Sequence, residues 1–361
     1  MSAPPFRFAL NRRQGTPGMV VLPASGFLKA KAEITSWANY APTPLRDLST
    51  VADRAEIGAV WLKDEAERFG LGSFKALGGA YAVAKLLVAR GGAPTTVVCA
   101  TDGNHGRAVA WGAQRVGAAC IVLVHARVSQ ARVDAIARYG AEVRRVAGNY
   151  DDAVREVARL ARDEGWFVVS DTSWPGYTSV PIDVMQGYRL MADEAADQWT
   201  GPSPTHVFIQ AGVGGVAAAV SVQMRARFNP HPVLVVVEAD QAACLLDSLL
   251  AGRPATVQGD LDTIMAGLAC GEPSMIAWQE LERSATAFMA IPDAVVPDAM
   301  RLLAALGIVS GESGVAGLAA LLLAAQDPDA RRMLDLGPDS RVLLFSTEGA
   351  TDPELYRRLT D

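Results

Sequence analysis

The sequence predicts an α/β protein built from two open parallel-sheet domains, the smaller inserted in the larger. Three observations predict it. From Thr95 onward, runs rich in Val and Ile alternate with helical stretches across short connections, as parallel βαβ units require. A second series of the same kind follows. Two polar, glycine-rich stretches separate the series: GGAP (Gly91 to Pro94) and SWPGY (Ser173 to Tyr177).

In the first series the strand-like runs are TTVVCA, ACIVLV, AEVRRV and WFVVS, with helices expected over Gly106 to Val116, Gln130 to Tyr139 and Asp151 to Arg162. In the second they are HVFIQA, PVLVVVEA and RVLLFS, with helices near Pro181 to Gln198, Gly214 to Arg227, Asp293 to Leu306 and Gly314 to Ala325. The division expected is residues 94–175 as the small domain, with 1–93 and 176–361 forming the large one. No internal repeat, heptad run or low-complexity tract is evident.

The 361 residues suffice for two domains, and half of them are apolar. A formal net charge of -6 argues against a nucleic-acid binder, which usually carries a basic excess. The pairs Arg144-Arg145 and Arg331-Arg332 read as solvated edges. The opening MSAPPFRFALNRR lacks the apolar run of a secretory signal, and the greasy stretches are glycine-broken or short. A cytoplasmic protein with no membrane partner is expected. Cys99, Cys120, Cys244 and Cys270 show no metal-ligand spacing, so no metal is expected. Cys99 and Cys120 read as core, and a Cys244–Cys270 disulfide stays open.

Ligands in open α/β sheets sit at the carboxyl ends of strands. That rule selects five loops for one cleft: TDGNHG, SDTSWPGY, AGVGG, EADQ and STEG. The run AGVGGVAAA follows a strand and opens a helix, so the N–H groups around Gly212, Val213, Gly214 and Gly215 offer an anion site. Gly212-x-Gly214-x-x-Ala217, with Glu238 at the end of the next strand, also fits a dinucleotide fingerprint. A dehydrogenase gives no role to Lys75, TDGNHG or STEG. Lys75 stands close to a helix start behind Ser73, a candidate N-cap, and apolar Phe74, Ala76 and Leu77 should lower its amine toward the neutral nucleophile. Taken alone, such a lysine reads as one snorkelling from an amphipathic helix.

The ordered motifs SFKALGG, TDGNHG, AGVGG and STEG resemble the fold-type II (tryptophan synthase β-like) pyridoxal-phosphate enzymes, among them threonine dehydratases, serine racemase and cysteine synthase. WLKDEAERFGLGSFKALGGAYA, ATDGNHGRAVAWGAQ, GNYDDAV, SDTSWPGYTSVPIDVMQGYRLMADEA, AGLACGEPS, GESGVAGLAAL and STEGATDP look most like the diaminopropionate ammonia-lyase family, over about Trp61 to Pro353.

The resemblance implies pyridoxal 5'-phosphate as cofactor and Lys75 as the Schiff-base lysine. It implies Asn104 on the cofactor's phenolic oxygen, Gly212 to Gly215 on its phosphate, and Ser346 or Thr347 near the pyridine nitrogen. The loop Thr101, Asp102, Gly103, Asn104, His105 would bind the substrate carboxylate, with His105 more a packing or hydrogen-bonding group than an acid–base one. Asp102 and Asp171 would face the substrate; without the resemblance, Asp102 reads as a helix N-cap. The activity implied is α,β-elimination of D- or L-2,3-diaminopropionate, a small amino acid, to pyruvate and two ammonia, by a homodimer. The alternatives are a dehydratase of 3-hydroxyaspartate, threonine or phenylserine, and a nucleotide-binding or non-catalytic homologue.

Overall fold

Runs of Val, Ile, Leu and Ala that exclude water from both faces form the centres of two sheets in the computed structural model, which describes residues 5–13, 21–101 and 103–361. The strands are β1 Arg7–Leu10, β2 Leu45–Asp47, β3 Ala59–Asp64, β4 Thr96–Ala100, β5 Ala119–His125, β6 Glu142–Val146, β7 Phe167–Val168, β8 His206–Gln210, β9 Val233–Ala239, β10 Ala287–Ile291 and β11 Arg341–Ser346. Among the described residues they make a seven-stranded sheet in the order β1-β10-β9-β8-β11-β3-β2 and a four-stranded sheet in the order β6-β5-β4-β7. Only the two edge strands of the larger sheet, β1 and β2, run antiparallel to their neighbours.

All seven runs read as strands from the sequence are strands. β1, β2, β3 and β10 are additional. The run AFMAI of β10 is rich in Ala and Met, residues with weak strand preference, and becomes a strand because β9 pairs along its whole length. β3 ends in Lys63 and Asp64, which hide its pattern. Their charges have partners: Lys63 Nζ sits 2.8 Å from Glu194, and Arg46 Nε 2.9 Å from Asp64.

Helices cover both faces of the large sheet. The helices Ala76–Ala89, Ser179–Gln198 and Gly215–Arg227 pack on one side and Val296–Ala305 and Ala316–Gln326 on the other. The helices Asn104–Val116 and Tyr150–Glu164 flank the small sheet. Arg144 lies on β6, an edge strand, beside Glu142, while Arg331 donates to the carbonyls of Ala55 and Ala325. All four cysteines are buried thiols, so Cys244 and Cys270 are not joined. No helix among the described residues is long and apolar enough to cross a membrane.

Candidate active site

The topology decides which loops meet. In the small sheet β4 has β5 on one side and β7 on the other; in the large sheet β8 has β9 on one side and β11 on the other. The β4/β7 and β8/β11 boundaries are where the chain's direction of winding reverses, and crevices open at such switch points. Residues from the loops after β4, β7, β8 and β11 line one cleft: Thr101, Gly103, Asn104 and His105, then Asp171, Gly212 to Gly215, and Thr347 with Glu348. Asp102 lies outside the described residues. About 830 Å³ of space opens there, including its mouth to solvent.

The fifth expected loop, EADQ after β9, is absent from the lining because β9 stands one strand away from the switch point. Its Glu238 accepts the backbone N–H groups of Leu245 at 2.7 Å and Leu246 at 2.8 Å, at the start of the helix Cys244–Ala251. A carboxyl group so occupied is not offered to a ribose, which removes the dinucleotide reading of the glycine loop.

Lys75 enters the cleft from a segment stitched to the end of β11. Phe74 N donates to the Thr347 carbonyl at 3.1 Å, and Gly349 N to the Gly72 carbonyl at 3.0 Å. The turn before it needs a left-handed backbone at Phe69 (φ 53°) and Gly70 (φ 69°). Buried Arg68 steadies that turn through Glu65 at 2.8 Å and Glu194 at 2.6 Å. Ser73 accepts the Lys75 amide at 3.3 Å but does not cap the helix, which starts at Ala76.

The Lys75 amine meets Asp171 in a salt bridge, with the Phe74 and Tyr188 ring centres 5.4 and 5.6 Å away. The lowering of Lys75 expected from its apolar neighbours is reversed. Burial, the largest single influence, pushes the amine down, but the Asp171 carboxylate together with Tyr188 more than offsets it and holds the amine above its ordinary value. Burial likewise works to raise Asp171, yet Lys75 keeps its carboxyl well below the usual range. Tyr150 donates to the other carboxylate oxygen at 3.2 Å.

Across the cleft, Gly214 precedes the helix Gly215–Arg227 at φ 98°, and among the described residues no side chain caps that helix. A Cβ on Gly212 would lie 3.0 Å from Cys270 Sγ and 3.1 Å from the Gly267 carbonyl oxygen, so its neighbours would have to give way. Thr101 Oγ1 accepts the amides of Gly103 at 2.8 Å and Gly106 at 3.0 Å, which shapes the start of the helix Asn104–Val116. Asn104 donates to Glu348 and accepts from Arg107 at 2.7 Å.

The two hydroxyls left open by the sequence part company. Thr347 lines the cleft and accepts from Gln210 at 2.7 Å, whereas Ser346 points away and donates to Ser310 at 2.8 Å. Tyr150, Tyr188, Arg132 and Glu348 also line the cleft, and none was singled out from the sequence. Three of them lie within the motifs GNYDDAV, MQGYRL and STEG; Arg132, on the helix Gln130–Ala137, carries no such signal.

The family of pyridoxal-phosphate dependent enzymes matches residues 37–348. The diaminopropionate ammonia-lyase of Escherichia coli K12 is 41% identical over 349 residues, covering 89% of this chain and 88% of that protein. The holo structure of the Escherichia coli enzyme superposes with a TM-score of 0.93 at 38% identity, over 99% of this chain and 96% of that one. The same enzyme in complex with D-serine gives 0.92 at 37% identity, over 99% and 97%.

The residues present fit the cofactor. An uncapped helix start behind a loop tightly packed at Gly212 and Gly214 suits a phosphate. A lysine amine stands across the same cleft, with Asn104 and Thr347 on the lining between. The chain therefore belongs to the pyridoxal-phosphate-dependent enzymes of fold type II, with pyridoxal 5'-phosphate as its cofactor.

Proposed function

We propose that this chain is an ammonia-lyase that converts 2,3-diaminopropionate and one water to pyruvate and two molecules of ammonia. The observation that carries the reading is Asp171, a buried carboxylate within bonding reach of the Lys75 amine. A substrate with a second, distal ammonium offers that carboxylate a charged partner with three N–H donors, and a hydroxyamino acid only a neutral one with a single O–H. The likeness to ammonia-lyases over nearly nine-tenths of the chain supports the same reading.

Pyridoxal phosphate, when bound, supplies an electron sink for the pair left behind as the Cα proton departs. The chain supplies the rest. The amides of Gly212 to Gly215 would hold its phosphate and Asn104 its phenolic oxygen, with the Thr347 hydroxyl toward the pyridine nitrogen. Thr101 fixes the loop through its two amide bonds, leaving the amides of Asn104 and His105 to bind the substrate carboxylate. Lys75 takes the Cα proton on its own side of the cleft. Asp102 is assigned by resemblance to the opposite side. Asp171 holds the distal ammonium.

The assembly we propose is a cytoplasmic homodimer of two-domain subunits with residues 94–175 as the inserted domain. Resemblance supports the dimer, and four buried thiols fit a reducing compartment. The test of function is ammonia and 2-oxo acid release from diaminopropionate, serine, threonine and 3-hydroxyaspartate. Diaminopropionate should lead, with two ammonia per pyruvate. A clear preference for a hydroxyamino acid would replace the reading with the dehydratase.

A further inference from the structure

Two hydrogen-bond acceptors stand side by side in the cleft, and one is unmatched. The His105 ring is 4% exposed and lines the cleft. Its Nε2 lies 2.8 Å from the Val169 carbonyl oxygen. A carbonyl only accepts, so Nε2 carries the hydrogen and the neutral ring presents a lone pair at Nδ1. Burial, the dominant influence, keeps the ring neutral by lowering its basicity, with Asp171 acting against it and Lys75 with it. Nδ1 has no hydrogen-bond partner among the described residues and lies 3.8 Å from Asp171 Oδ2.

Two acceptors so close repel unless one donor group reaches both. Lys75 reaches Asp171 Oδ2 and leaves Nδ1 unmatched. A protonated amine carries three N–H donors and satisfies both acceptors; a hydroxyl carries one and leaves a buried acceptor unpaired.

We propose that His105 Nδ1 and Asp171 Oδ2 together receive the distal ammonium of the substrate, so that His105 selects an amine over a hydroxyl at Cβ. The inference rests on the ammonia-lyase reading above. His105 transfers no proton in this role. When the carbon–nitrogen bond breaks, its electron pair goes to nitrogen and the ammonium departs as ammonia.

The test uses the holoenzyme and two substitutions. His105→Gln keeps a donor for Val169 but removes the Nδ1 acceptor; His105→Asn places an amide oxygen near the Nδ1 position. The ratio of kcat/KM for diaminopropionate to that for serine should fall about 10–100-fold in His105→Gln, chiefly through KM. In His105→Asn it should stay within a few-fold of wild type. Both substrates falling together, or both variants falling alike, would overturn the proposal. A second readout needs no variant: the ¹⁵N resonance of Nδ1 in the wild type should move toward a hydrogen-bonded acceptor with 1,2-diaminoethane and stay put with ethanolamine. The same movement with both, or with neither, would overturn it. Failure of the wild type to consume diaminopropionate at all would instead strike the functional reading.

Discussion

The Lys75 amine and the Asp171 carboxylate, 96 residues apart in sequence, meet as a partly buried ion pair between the end of β7 and the segment tied to β11. Each holds the other in its charged form against a burial that favours the neutral one. An ammonium is not a nucleophile, so Asp171 opposes the neutral amine that attack by Lys75 requires.

Asp171→Asn should therefore release Lys75 rather than disable it. With the carboxylate gone, burial dominates and the amine falls from its raised value, so more of it is neutral near pH 7. The rate at which the apo protein takes up pyridoxal phosphate, followed by the visible band of the lysine-bound cofactor, should rise at neutral pH. Its pH profile should shift to lower pH. A profile unmoved by the substitution would show that Asp171 does not govern the amine.

Gly214→Asp should lower cofactor retention, though through the backbone rather than by aiming a charge at the phosphate. A Cβ there would stand 3.1 Å from Ala277 and 3.3 Å from Leu245 and Leu281, an apolar wall. Gly214→Ala isolates the strain: at φ 98° an L-residue costs roughly 1–2 kcal/mol. Pyridoxal phosphate should bind about tenfold more weakly to the alanine variant, and the aspartate variant should be worse. Equal affinity in all three proteins would place the phosphate elsewhere.

Much of this was legible because the glycine loop, the DGNHG loop and the STEG loop carry their chemistry in short contiguous runs at strand ends. Strands β8, β9 and β11 announce themselves through Val, Ile and Leu, whereas β10 is fixed by its neighbour rather than by its own residues. The lowering expected at Lys75 failed because its neighbours in sequence are apolar while its neighbour in space is Asp171. EADQ failed for a similar reason: strand order, which no local pattern records, carries it away from the cleft. Strand order is likewise what brings Tyr150 onto Asp171 and Glu348 onto Asn104.

Glu238 gives a pH dependence of stability. Burial raises its carboxyl from 4.5 to about 8, against the two amide bonds that lower it. Between those values the folded state keeps a proton that the unfolded chain has lost, so this group's contribution declines as pH rises from about 4.5 through about 8. Glu238→Gln removes the titration. Melting temperatures across pH 5 to 9 should show wild type losing ground to the variant as pH increases, by several degrees in the difference. A difference constant with pH would mean that Glu238 folds with an ordinary carboxyl.

The enantiomers decide how the cleft divides its labour. The Cα protons of L- and D-diaminopropionate point to opposite faces of the cofactor ring, and in the proposed mechanism Lys75 serves one face, by resemblance that of the L-proton. Asp102, outside the described residues, is assigned to the other. A general base contributes about 10²–10⁴-fold, so Asp102→Asn should reduce D-isomer turnover within that range and spare the L-isomer. Asp171→Asn should weaken both, because both carry the same distal ammonium. Its loss should appear mainly in KM, since the interaction forms on binding. Measuring kcat and KM for both enantiomers in both variants separates the roles. Equal losses of D and L in Asp102→Asn would reduce that residue to a binding or helix-capping carboxylate, and an Asp171→Asn loss confined to one isomer would tie Asp171 to proton transfer rather than to the ammonium.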